Sequence, residues 1–145
     1  MKGIVCKVCG YVAINGIVPQ QCPVCRAKSF EEKDDALKAS ADKAEVGESE
    51  KKHIPEITVI KECGRIPQGC QDVNVKVGEI EHPMMPEHSI EHIDFYVDRE
   101  FVSRVMLTPD KLRSAATFHL KSGSGKISAI ALCNLHGAWF NEVEF

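Results

Sequence analysis

The strongest constraint on this chain lies near its start, where Cys6-Lys7-Val8-Cys9 and Cys22-Pro23-Val24-Cys25 form two CxxC knuckles twelve residues apart. The unit around them is about thirty residues long, below the size at which apolar burial alone holds a fold, so something else must staple it. Four thiolates brought together by two short knuckles fit a tetrahedral ion, either zinc or a single iron. From the spacing alone, a zinc that merely folds the unit and an iron that changes oxidation state are both open. Seven cysteines in one chain fit metal or catalysis better than disulfides in a reducing compartment.

Composition narrows the class. The chain has 145 residues, 43% of them hydrophobic, enough for a packed core. Lys and Arg number 18 against 21 Asp and Glu, for a net charge of -3, and no basic block suggests nucleic acid. No apolar run approaches the ~20 residues that span a bilayer, and Met1 to Tyr11 lack the apolar core of a signal peptide. A soluble cytoplasmic protein with no membrane partner is expected. Charge is uneven: residues 1–33 are net positive, 34–50 strongly acidic, and 51–145 slightly acidic. With only Leu37 and Val46 as large apolar residues, 34–50 reads as a polar linker, partly helical at most.

Downstream of the linker come short β-type runs: Ile57–Ile60, Val73–Val77, Ile90–Val97, Phe101–Leu107, Ala115–Leu120, Ile127–Leu132 and Trp139–Phe145. Alternation in Val73, Val75, Val77 and in Ile93, Phe95, Val97 is that of half-buried antiparallel strands. Seven strands in some 95 residues, with no convincing helix, predict an immunoglobulin-like β-sandwich over 51–145.

Two histidine and cysteine motifs interrupt these runs. His82-Pro83-Met84-Met85-Pro86-Glu87-His88 presents two imidazoles on a proline-fixed loop, and Cys133-Asn134-Leu135-His136 places a thiolate and an imidazole at a strand end. Singly, each motif is weak.

The residues around the first knuckles, CKVCGYVAINGIVPQQCPVCRAKSFEE, resemble the rubredoxin-like module of rubrerythrins over residues 3–33. That resemblance implies one iron on Cys6, Cys9, Cys22 and Cys25, passing single electrons. Arg26 stands where the family usually has Gly, a position that favours a left-handed backbone. Over residues 50–145, KHIP, EHPMMPEHSIEHI and CNLHGAW resemble the superoxide reductase family, also called desulfoferrodoxin or neelaredoxin. This second resemblance implies a mononuclear iron ligated by His53, His82, His88, His136 and axially by Cys133, with a sixth position open. The implied substrate is superoxide, with a reduced rubredoxin or similar protein as electron donor and a homodimer or homotetramer as assembly.

Imidazole with thiolate suits a redox-active iron, and five such ligands exceed zinc's usual four. A thiolate opposite an open position pushes electron density towards a bound oxygen species. The matched motif gives Lys52 a role in drawing superoxide in, against the alternative of a solvated surface charge. The family often has Glu before that Lys; Lys51 stands there, with Glu50 one residue earlier. His92 and His119 read as satisfied or solvated histidines, with His92 alternatively supporting the site. Cys63 and Cys70 read as spare thiols, with a disulfide or redox-linked pair as the alternative. A non-enzymatic iron electron carrier or redox sensor with a structural zinc is the competing function; the complete five-ligand set favours the enzyme, because a carrier has no use for an open coordination position.

Overall fold

The computed structural model describes residues 1–39, 47–66, 68–121 and 123–145. Its strands are β1 (Gly3–Cys6), β2 (Val12–Ala13), β3 (Phe30–Lys33), β4 (Lys38–Ala39), β5 (Pro55–Ile60), β6 (Gln71–Val77), β7 (Ile90–Val97), β8 (Glu100–Met106), β9 (Ala115–Leu120), β10 (Lys126–Cys133) and β11 (Gly137–Glu144), with one short helix, α1 (Glu48–His53).

The seven runs expected after residue 50 all appear as strands, in two sheets ordered β4-β11-β10-β7-β8 and β5-β6-β9. Alternation decides which side chains face inward. Val73, Val75 and Val77 of β6 meet Ile93 and Phe95 of β7 and Ile127, Ala129 and Ala131 of β10 in one buried cluster. Phe95 stacks on Phe118 across the sandwich at 4.1 Å and 6°. β7 and β10 are buried on both faces, which is why Ile-Asp-Phe-Tyr-Val and Ile-Ser-Ala-Ile-Ala-Leu-Cys carry so few exposed side chains.

The cover on their outer faces is the amino-terminal unit. Its small sheet, β2-β1-β3, shares a second core cluster in which Ile4, Tyr11, Val12 and Ile14 pack with Tyr96, Ile130 and Phe140. Tyr96 Oη donates to Val12 O at 2.7 Å, and the Tyr11 ring meets Phe101 edge-on at 5.3 Å. Arg104 reaches across to donate to Cys9 O at 2.9 Å, while its other nitrogens grip Asp94 at 2.6 and 2.7 Å.

Part of the stretch expected as a polar linker is ordered. Leu37 is 2% exposed within the second cluster, and β4 adds to the edge of the larger sheet, pairing parallel with β11. One apolar residue and a two-residue strand suffice where a neighbouring edge supplies the partners, and a composition average over 34–50 hides both. Val46 lies outside the described residues. The helical part allowed for that stretch appears at its end and runs on past residue 50, where no helix was expected: α1 carries Glu48 and Glu50 in its first turn and Lys51, Lys52 and His53 in its last, the arrangement that suits the helix dipole.

Candidate metal centres

In the amino-terminal unit the four cysteines converge as expected. Their sulfurs form a group within 4.8 Å of one another, with Cys6 to Cys25 at 3.6 Å and Cys9 to Cys22 at 3.5 Å. Burial opposes a Cys6 thiolate, but the amides of Cys9 and Val8 and the neighbouring cysteines outweigh it and bring this thiol down to about 7. At Cys22 the amides of Cys25 and Val24 oppose burial in the same way, but burial prevails and holds that thiol above its ordinary value. Such turns satisfy a sulfur with backbone N–H groups and prepare it for a cation. Gly10 and Arg26, the residues after the second cysteine of each knuckle, have φ of 75° and 65°. Arg26 therefore takes the left-handed conformation that Gly adopts freely, at a cost of roughly 1–2 kcal/mol, and Gln21 Nε2 donates to its carbonyl at 3.0 Å.

The second centre forms at one end of the sandwich. α1 delivers His53 from its last residue; the loop before β7 delivers His82 and His88; the last residue of β10 is Cys133, and the turn after it delivers His136. A register shift between Leu132 and Cys133 in the β10–β7 ladder re-aims the thiol, as a bulge does beside a site. Asn134 locks the turn to the loop: its Oδ1 accepts from Ser89 N at 3.0 Å and its Nδ2 donates to Glu87 O at 3.1 Å.

The imidazoles form a closed cycle. Ring centroids are 4.7 Å apart for His53–His82, 4.6 Å for His82–His88, 5.0 Å for His88–His136 and 4.9 Å for His53–His136, while His53–His88 across the diagonal is 6.2 Å. That is a four-cornered arrangement. Ligand atoms of His53, His88, Cys133 and His136 lie within 4.8 Å of one another, and His82 closes the fourth corner through its two neighbours.

Tautomers follow from the backbone. His53 Nδ1 must donate to Ser49 O at 2.6 Å and His82 Nδ1 to Pro83 O at 2.8 Å, since a carbonyl only accepts. Each Nε2 then carries a free lone pair. Nε2 of His82 and His88 are buried with no hydrogen-bond partner among the described residues, an arrangement that costs about 1–3 kcal/mol per group unless something binds there. His53 Nε2 faces His136 Nδ1 at 3.2 Å, and Cys133 Sγ lies 3.6 Å from that same Nδ1. Burial, reinforced by the other imidazoles, pushes His82 down to about 4 and lowers His53 as well, so both are neutral and ready to bind a metal. The donor set fits a five-coordinate, redox-active cation.

The Lys52 ammonium pairs with Glu48 at 3.5 Å across one turn of α1. Lys38, missed in the sequence because it lies 98 residues away, donates to His136 O at 2.9 Å and sits 5.0 Å over the Trp139 ring. Trp139 stacks on His53 at 4.7 Å and 20° and donates to His136 O at 3.1 Å. Glu50 is buried beside Gly47. His92 is buried as well, 3.9 Å from Asp94, and burial pushes it down to about 4. No helix among the described residues is long and apolar enough to cross a membrane.

A two-sheet sandwich of eight strands with a four-histidine, one-cysteine cluster at one end, joined to a four-cysteine knuckle unit, defines a two-centre, non-haem metalloprotein. Residues 45–142 match the desulfoferrodoxin family model and residues 5–31 the rubredoxin-like domain of rubrerythrin. The chain belongs to the desulfoferrodoxin family. It is 37% identical over 92 residues to a desulfoferrodoxin of Clostridium acetobutylicum, a match spanning 63% of this chain and 62% of that protein. A superoxide reductase of Pyrococcus horikoshii is 38% identical over 104 residues, covering 64% of this chain and 86% of that one. Among solved structures, a superoxide reductase (neelaredoxin) variant from Ignicoccus hospitalis aligns with a TM-score of 0.61 at 29% identity, covering 75% and 92% of the two chains. The superoxide reductase of Nanoarchaeum equitans gives 0.55 at 29% identity, covering 65% and 93%.

Proposed function

We propose that this chain is a superoxide reductase, taking superoxide, one electron and two protons to hydrogen peroxide at a mononuclear iron held by His53, His82, His88, His136 and Cys133. The observation that carries the reading is the imidazole cycle with two buried, unpartnered Nε2 atoms gathered beside one buried thiol. Iron held there would supply the single electron, and iron held by Cys6, Cys9, Cys22 and Cys25 would pass on its replacement from a reduced rubredoxin or similar donor.

The protein's own part is positioning and charge. Ser49 O and Pro83 O hold protons on the outward nitrogens of His53 and His82, so neither ring can turn its lone pair away without losing a hydrogen bond. Trp139 covers one face of His53 and limits water there. His136 is exposed and His88 half-buried while His53 and His82 are buried, so access for a small anion is on the His88–His136 side. Lys38 beside His136, and Lys52 next to His53 in the chain, raise the local concentration of that anion. The chain works in the cytoplasm as a homodimer or homotetramer in this reading, with residues 1–33 as the relay domain and 51–145 as the catalytic domain.

Metal analysis should find two iron atoms per chain, and the ferrous protein mixed rapidly with superoxide should release peroxide. One iron with one zinc would remove the relay; a ferrous protein inert to superoxide would remove the enzyme and leave a carrier. Cys133→Ser should abolish both the thiolate charge-transfer absorption and most of the superoxide reaction, and retained activity would mean the ligand assignment is wrong.

A further inference from the structure

A third convergence of donors lies away from both centres. Cys63 and Cys70 lie in the connection between β5 and β6, Asp72 is the second residue of β6, and His119 is its cross-strand partner on β9. Their ligand atoms form a group within 4.8 Å of one another. Three of the contacts share one atom: His119 Nδ1 lies 3.2 Å from Cys63 Sγ, 3.5 Å from Cys70 Sγ and 3.0 Å from Asp72 Oδ1.

One ring nitrogen has at most one hydrogen, so it cannot satisfy three acceptors. Asp72 Oδ1 shows the shortfall: it is buried with no hydrogen-bond partner among the described residues, despite the imidazole beside it. A cation at the centre explains the crowding. With zinc bonds of about 2.0–2.3 Å at tetrahedral angles, neighbouring donors should stand about 3.3–3.8 Å apart. The 3.5 Å from His119 Nδ1 to Cys70 Sγ falls in that range and the 3.2 and 3.0 Å contacts lie just below it, while the sulfur pairs of the amino-terminal knuckles, at 3.5 and 3.6 Å, fall within it.

The backbone adds an independent sign. Amides of Arg65 and Ile66, two and three residues after Cys63, both donate to its sulfur at 3.4 Å. In the knuckles, Val8 and Cys9 donate to Cys6, and Val24 and Cys25 to Cys22, at the same offsets. The Cys63 turn thus repeats the sulfur-cradling geometry of this chain's own metal knuckles without their CxxC spacing.

We propose that Cys63, Cys70, Asp72 and His119 form a third metal site, selective for zinc, that pins the β5–β6 connection to β9. Two thiolates, one imidazole and one carboxylate make a closed four-coordinate set of borderline softness, which suits a structural zinc and leaves no position for substrate. Binding displaces the two thiol protons and leaves the site with a net charge of about -1.

The test uses the full chain purified with its iron, reduced, exposed to zinc ions and desalted. Elemental analysis should find one zinc per chain that Cys63→Ser and His119→Ala both lack, with iron content and visible spectrum unchanged. Alkylation with mass mapping should show Cys63 and Cys70 protected in the parent and modified in His119→Ala, which alters an exposed position and spares the fold. Equal zinc in parent and His119→Ala overturns the site. So does a reduced parent that binds no zinc and reoxidises to a Cys63–Cys70 disulfide.

Discussion

Arg104 offers the sharpest perturbation. Its guanidinium holds Asp94 with two short bonds and donates a third to Cys9 O, with both side chains nearly sealed from water at 8% and 1% exposure. Arg104→Leu keeps an apolar stem but strands a buried carboxylate, which costs about 3–5 kcal/mol. Loss of the hydrogen bond to Cys9 adds about 1 kcal/mol. For a chain this size the sum lowers Tm by on the order of 10 °C. Asp94→Leu combined with Arg104→Leu should recover most of it, because an ion pair replaced by packed apolar groups is close to neutral. Only the Cys9 share should persist. Urea unfolding followed by far-ultraviolet circular dichroism, with the absorption of the four-cysteine centre read in parallel, measures both quantities. A double variant as unstable as Arg104→Leu alone would refute the stranded-charge reasoning and assign the loss to packing.

Three further outcomes follow from other residues. Lys38→Met should slow the encounter of ferrous protein with superoxide by roughly two- to threefold at low salt and flatten its salt dependence, whereas Lys52→Ile, whose charge is already countered by Glu48, should do less; stopped-flow mixing at several ionic strengths decides. Arg26→Gly should raise stability by about 1 kcal/mol in urea titration, because Gly accepts the positive φ without strain. Burial holds His92 at about 4 in the fold against about 6.5 unfolded; its neutral form stabilises the protein fully above 6.5, and that contribution is lost as pH falls towards 4. His92→Leu should therefore lose about 2 kcal/mol less than the parent between pH 7 and pH 5, and identical losses would show that His92 does not couple to folding.

What the sequence exposed and what it hid have a common physical basis. The seven sandwich strands were legible because period-two alternation and turn residues are local signals, as in Val73, Val75 and Val77. The iron ligands were legible because four of the five sit in two short motifs, His82 with His88 and Cys133 with His136, and His53 was reached through a family pattern. β4 was hidden because two residues, Lys38 and Ala39, have no period, and their partner strand lies a hundred residues on. Lys38 was hidden with it. The Asp94–Arg104 pair was hidden because a charge that reads as solvated in a strand is buried only once the amino-terminal unit covers it. Likewise, Cys63, Cys70, Asp72 and His119 carry no shared spacing; the β6–β9 register brings them together.

The outer face of the larger sheet carries a consequence for how such proteins gain or shed a domain. Tyr96, Ile130 and Phe140 are buried there in one cluster with Tyr11, Val12 and Ile14 of the amino-terminal unit. Residues 47–145 alone would present that apolar patch to solvent, together with an Asp94–Arg104 pair deprived of its Cys9 contact. A lineage dropping the amino-terminal unit must therefore repaint the sheet with polar residues or close it against another subunit. Domain loss and surface composition are, in this architecture, a single evolutionary step rather than two.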